Sequence, residues 1–126
     1  MELKALDIIN KFEALNKLAD KETDLSTAVI IAKNLKELST YKDIIDKKRD
    51  GVIVKYAEKN DNNVISQDEN GNVKITDINS FNKDLSEILD TPIEVNLLLL
   101  PKDKMMNMKI SAKDILPLTD ILDGEL

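Results

Sequence analysis

The feature that most restricts how this chain can fold is a single helical pattern running from about Leu25 to Lys59. Ala28, Ala32, Leu35 and Leu38 lead through Tyr41, Ile45, Val52 and Tyr56 mostly at steps of three and four, and Val29, Ile31, Ile44 and Ile53 widen the stripe. A helix of that length extends about 52 Å, while the whole chain has 126 residues, the size of one domain over residues 1–126. Gly51 falls inside the pattern and costs about 1 kcal/mol relative to alanine in a helix interior. Two forms are therefore open, a continuous helix or a break near Asp50-Gly51. The preceding helix is too short to cover the stripe, so Ile45, Val52 and Tyr56 need the third helix, a strand or a second copy of the protein against them.

The other elements follow from local signals. Glu2 to Leu6 reads as a short edge strand or a frayed first turn, and Asp7 can cap a helix to about Ala19, with Ile8, Phe12, Leu15 and Ala19 on one face and Ile9 and Leu18 widening the stripe. The polar connection Asp20 to Asp24, with Asp24 or Ser26 as the next cap, is short enough to fold the long helix back antiparallel. Asn70-Gly71 is a hairpin turn signal because both residues tolerate positive φ, and Val64-Ile65 and Val73 to Ile75 are its arms. Thr76 or Asp77 can cap a helix from Ile78 to Leu89 whose Ile78, Phe81, Leu85, Ile88 and Leu89 form one face, ended by Pro92. Ile93, Val95, Leu97 and Leu99 alternate as in a half-buried strand, stopped by Pro101. Lys102 to Lys109 reads as a methionine-bearing loop, and Ser111 caps a last helix from Ala112 to about Leu122 that Pro117 bends or splits. The expected class is α+β with helices dominant: a helical hairpin with one long helix, a short β-hairpin, a third helix, a C-terminal strand and a short terminal helix.

Composition limits function. The chain has neither histidine nor cysteine, so imidazole bases, thiolate nucleophiles, disulfides and the usual zinc sites all fall away. Basic residues number 18 against 24 acidic, for a net charge of −6. Arg49 is the single arginine among many lysines, which argues against a nucleic-acid reader. Charged residues interrupt the N-terminus before an apolar signal segment can form, and Leu97 to Leu100 is far short of the ~20 apolar residues that cross a bilayer. A soluble, intracellular protein without nucleic-acid or membrane partners is expected.

Four constellations have residue types that could carry chemistry. Ser66, Asp68, Asn70, Gly71, Val73 and Asp77 place oxygen side chains at alternate positions around a glycine, as a calcium loop does. Ser66 replaces the first aspartate, Asp77 replaces the final glutamate, and strands stand where flanking helices are needed, so a plain hairpin turn is the preferred reading. Asp43, Asp46 and Asp50, and Asp84 with Glu87, share helix faces as metal or acid/base pairs would, yet lysines accompany each, which is the pattern of a solvated face. The triplet Lys47, Lys48 and Arg49 is read the same way. Glycines at 51, 71 and 124 cannot build a phosphate cradle. No catalytic residue, metal ligand set or cofactor is expected, and the chain is read as non-enzymatic.

Two features point to partners. The long helix invites homodimerisation through Ile45, Val52 and Tyr56. The C-terminal segment puts Leu98, Leu100, Met105, Met106 and Met108 between a proline and lysines, and methionine suits adaptable binding surfaces as well as irregular core gaps.

The order EALNKL, AKNLKEL, KYAEKND, NGNVKI, FNKDLSEILDTPIEVNL and ISAKDIL resembles a family of small uncharacterised proteins encoded by phages and prophages of low-GC Gram-positive bacteria, over nearly the whole chain. The segment Met105 to Met108 and Pro117 depart from that pattern. The resemblance implies a viral or prophage gene, a host cytoplasm and action by binding, with no catalytic residues to carry over. The expected function is binding of a host or phage protein, with inhibition or modulation of a host or defence factor; the alternative is a virion accessory of the tail or baseplate.

Overall fold

The computed structural model describes residues 1–59 and 65–123. In order these are β1 (Glu2–Lys4), α1 (Ala5–Leu18), α2 (Leu25–Tyr56), α3 (Ile78–Leu89), β2 (Pro92–Glu94), β3 (Leu100–Pro101), α4 (Lys102–Met106), α5 (Ala112–Ile115), a 3-10 helix (Leu116–Ile121) and β4 (Leu122–Asp123). Helices dominate, and the class is α+β. The chain divides into two compact units, one of residues 1–42 and 92–126, the other of residues 43–91.

In the first unit β1 pairs antiparallel with β2, Leu3 opposite Ile93, so Glu2–Lys4 is a strand. α1 then starts at Ala5, and Asp7 is not the N-cap: it stands at the third helical position and accepts from the Lys4 amide at 3.3 Å. The strand ladder holds the backbone extended through Lys4, and the helix begins as soon as the ladder ends. Six residues after α1 ends at Leu18, Asp24 caps α2, its carbonyl accepting from the Ala28 amide at 3.0 Å. α2 returns along α1, with Lys42 Nζ 5.4 Å above the Phe12 ring, while Leu18 and Ile31 line one cleft.

The buried stripes keep Ile8, Ile9, Leu15 and Leu18 of the face expected on α1 and Ile31 and Leu38 of that on α2, but turn away from Phe12, Ala19, Ala28 and Ala32. On α1 the buried side chains are Ile8, Lys11, Leu15 and Leu18, with Ala5, Ile9 and Ala14, whereas Phe12 is half-buried and Ala19 exposed. On the first part of α2 they are Thr27, Ile31, Asn34 and Leu38, whereas Ala28 and Ala32 are exposed. Both stripes keep the three-four spacing, but each includes polar residues that hydrophobicity alone passes over. Around them pack Val95, Leu100, Met105, Leu118, Ile121 and Leu122, all buried.

The expected strand from Ile93 onward is shorter than its alternation suggests. Ladder pairing covers only Pro92–Glu94, and a two-residue parallel pairing resumes at Leu100, opposite Leu122. Between them Met1 bonds both backbone groups of Val95, and side chains of α2 hold Asn96 and Leu98. Lys102 to Met106, expected as loop, is a single helical turn and a half after Pro101, made of residues that tolerate helix well. Pro117 splits the last helix as expected: α-helix gives way to 3-10 at Leu116.

In the second unit α2 continues through Gly51 without a break to Tyr56. It stops three residues before Lys59 because the Thr76 amide and hydroxyl both donate to the Tyr56 carbonyl, at 2.7 and 2.9 Å. Ala57 and Lys59 then bridge Ile75 and Ile65, and Gln67 bridges Val73. Val64, expected in the first arm, lies outside the described residues. The hairpin turn differs in type from the expectation. Gly71 has φ +80°, but Asn70 is not among the positive-φ residues. The Gly71 amide donates to the Asp68 carbonyl at 3.0 Å and the Asp68 amide to the Asn72 carbonyl at 2.8 Å, a turn followed by a left-handed glycine rather than a two-residue mirror turn. α3 spans the expected residues, with the Asp77 carboxylate accepting from the Ser80 amide. Ile78 at its start is exposed rather than part of the covered face.

Candidate functional site

Of the eight residues singled out for partner binding, three are buried within the chain: Ile45 is 4% exposed, and Leu100 and Met105 are equally enclosed. They are core rather than surface, because each lies on a covered face of its element. Val52 and Tyr56 are half-buried in the second unit. Leu98, Met106 and Met108 remain accessible in the first, with Met106 73% exposed. The two sets therefore belong to different units.

Tyr56 is engaged inside its own unit. Its hydroxyl donates to Asp84 Oδ2 at 2.6 Å, Lys55 Nζ lies 3.3 Å from the same oxygen, and the Phe81 ring meets Tyr56 edge-on at 6.1 Å. The Tyr56 hydroxyl and then the Lys55 ammonium hold the Asp84 carboxyl below its ordinary value. The same carboxylate raises Tyr56 and Lys55 above theirs. Asp84 thus joins α3 to α2. Lys55 and Asp84 border an open cleft of about 650 Å³ in which Lys47, Lys48 and Lys55 oppose Asp84 and Glu87 over Val52 and Ile88. Charges of both signs line it.

In the hairpin, Asp68 Oδ1 accepts the Asn70 and Asn72 amides at 2.8 and 3.0 Å. Asp77 caps α3. Two of the oxygen side chains that suggested a calcium loop therefore organise backbone, and no cluster of three acids able to hold a metal occurs among the described residues.

An apolar concavity lies in the first unit. α4 turns Met105 into the core and Met106 outward, and Pro101 and the pairing of Leu100 with Leu122 fix where that turn begins. Met105, Met106, Met108, Ile110, Ile115 and Leu122 line a groove of about 440 Å³ with Lys102 at its edge. Its other wall, α5, and the 3-10 helix that follows it are each anchored to α1 by an ion pair. Lys17 Nζ reaches Asp114 at 2.9 Å and, with the Ser111 hydroxyl, holds that carboxyl below its ordinary value. Buried Lys11 donates to the Pro117 carbonyl at 2.7 Å and to both Asp120 oxygens at 2.8 and 3.0 Å.

Lys11 and Asn34 escaped sequence reasoning, although one signal was present. Lys11 follows Ile8 by three and precedes Leu15 by four; Asn34 sits the same way between Ile31 and Leu38. A polar residue on the seam of an apolar stripe marks a buried bond to backbone or to an opposite charge. The chain matches no known family model, no curated protein and no solved structure. No helix among the described residues is long and apolar enough to cross a membrane.

Proposed function

We propose that the chain is a non-enzymatic phage or prophage protein that binds another protein through the methionine groove of its C-terminal segment, in the host cytoplasm. The observation that carries this reading is the exposure of Met106 beside Met108, Ile110 and Ile115. Exposed apolar side chains gathered around a concavity are what an apolar anchor of a partner fills, and flexible methionines adapt to its shape. The viral setting rests on the sequence resemblance. Binding would act by blocking or modulating the partner, and neither histidine nor cysteine is present to supply an imidazole base or a thiolate nucleophile.

The test compares the tagged wild-type protein with Met106→Glu in host lysate, after circular dichroism has established equal folding. One stoichiometric protein retained by the wild type and weakened at least about tenfold by the buried charge, roughly 1.4 kcal/mol, supports the reading. Equal retention by both proteins removes the groove from it.

A further inference from the structure

Asn70-Gly71 is the one place where an asparagine side chain is followed by a residue without a Cβ. Both residues are exposed at the tip of the hairpin. Around the Cα of Gly71, the position a Cβ would take meets nothing within 4 Å. The Asn70 amide nitrogen of the backbone is tied to Asp68 Oδ1, whereas its side-chain amide has no partner among the described residues. The Gly71 nitrogen is held by a single hydrogen bond, to the Asp68 carbonyl at the protein surface.

We propose that Asn70 is a site of spontaneous modification, at which the folded protein converts its side-chain amide to an acid with water as the only co-reactant. The deprotonated Gly71 nitrogen attacks Asn70 Cγ; the N–Cγ bond forms, the Cγ–Nδ2 bond breaks, and the leaving nitrogen takes up protons from water to depart as ammonia. The resulting five-membered succinimide then adds one water. Opening at Cγ gives aspartate, and opening at the original backbone carbonyl gives isoaspartate, with the chain now running through the side-chain carbon. Nothing is oxidised or reduced.

Asn34 and Asn79 are placed less favourably. Asn34 is buried, with both ends of its amide bonded to Leu98, and Asn79 lies in α3, whose helical hydrogen bonds restrain the following nitrogen. The products bear on the turn itself. Each adds a negative charge next to Glu69 and two residues from Asp68, and the isoaspartyl form lengthens a loop whose closure depends on the Asp68-to-Asn72 bond. The hairpin carries a built-in clock that loosens it with age and faster in alkali.

The experiment incubates the full-length folded protein at mildly alkaline pH and follows peptide masses, with enzymatic methylation of isoaspartate as the second readout. The peptide holding Asn70 is expected to gain the mass of amide-to-acid conversion before any other, to split into two chromatographic forms, and to accept methyl groups. Asn70→Gln abolishes all three signals while the other asparagine peptides are unchanged. The proposal is overturned if that peptide stays intact in the folded protein over the time in which the denatured chain converts, or if another asparagine converts first.

Discussion

Asn34 does for residues 96–99 what a neighbouring strand would otherwise do. Its Nδ2 donates to the Leu98 carbonyl at 2.9 Å and its Oδ1 accepts the Leu98 amide at 2.8 Å, while Glu37 Oε2 accepts the Asn96 amide at 2.7 Å. Asn34→Ala leaves that buried side of the peptide unpaired and should cost about 1–3 kcal/mol, read from urea midpoints; Asn34→Asp, which keeps the acceptor but loses the donor, should not restore it. At the Tyr56–Asp84 contact the pH dependence follows from direction alone. Asp84 is depressed, so its contribution is present above the unfolded carboxylate range and is lost as pH falls through the folded value. Tyr56 is raised, so its contribution is present below the unfolded phenol value and is lost as pH rises through the folded one. Stability contributed by the pair should therefore form a plateau with an acid and an alkaline edge. In Tyr56→Phe the alkaline edge attributable to this phenol should vanish and the Asp84 carboxyl should titrate closer to its ordinary value, as carbon NMR of labelled aspartates would record.

At the scale of elements, α2 is continuous through Gly51, where an added Cβ meets nothing within 4 Å. Gly51→Ala removes backbone freedom from the unfolded chain without a clash and should stabilise the protein by about 0.4–1 kcal/mol; a loss of stability on thermal unfolding would mean that the helix does bend there. Gly71 is the opposite case, since φ +80° disfavours any Cβ. The element boundaries that sequence reasoning placed well, α3 from Ile78 to Leu89 and the split at Pro117, rest on caps and prolines that act within a few residues. Those it misplaced depend on distant partners. α2 ends at Tyr56 because Thr76 occupies its carbonyl, and beyond Val95, which still bonds Met1, the strand expected from Ile93 gives way because α2 side chains take over its backbone. No local rule registers a bond across twenty or sixty residues.

At the scale of the whole molecule, apolar burial is uneven. The first unit holds nearly all the fully covered side chains, among them Ile8, Leu15, Leu18, Leu38, Val95, Leu100, Leu118 and Ile121, whereas α3 has none and the second unit contributes Ile45 and Ala57. Local opening follows the number of buried apolar contacts. Native-state hydrogen exchange should accordingly find the α3 amides opening at lower free energy than those around Leu15 in α1; equal protection would show that the chain opens as one cooperative unit. The sequence by itself determined that helices dominate, where most begin, that a turn falls at Gly71, and that imidazole and thiol chemistry are absent, because each depends on residue identity or on spacing along one element. Tertiary structure alone decided which of the candidate surface residues are core. Met105 and Met106 are adjacent and chemically identical, yet a helical turn sends one inward and leaves the other in solvent. Burial depends on what the rest of the chain places opposite a side chain, and that information is not local.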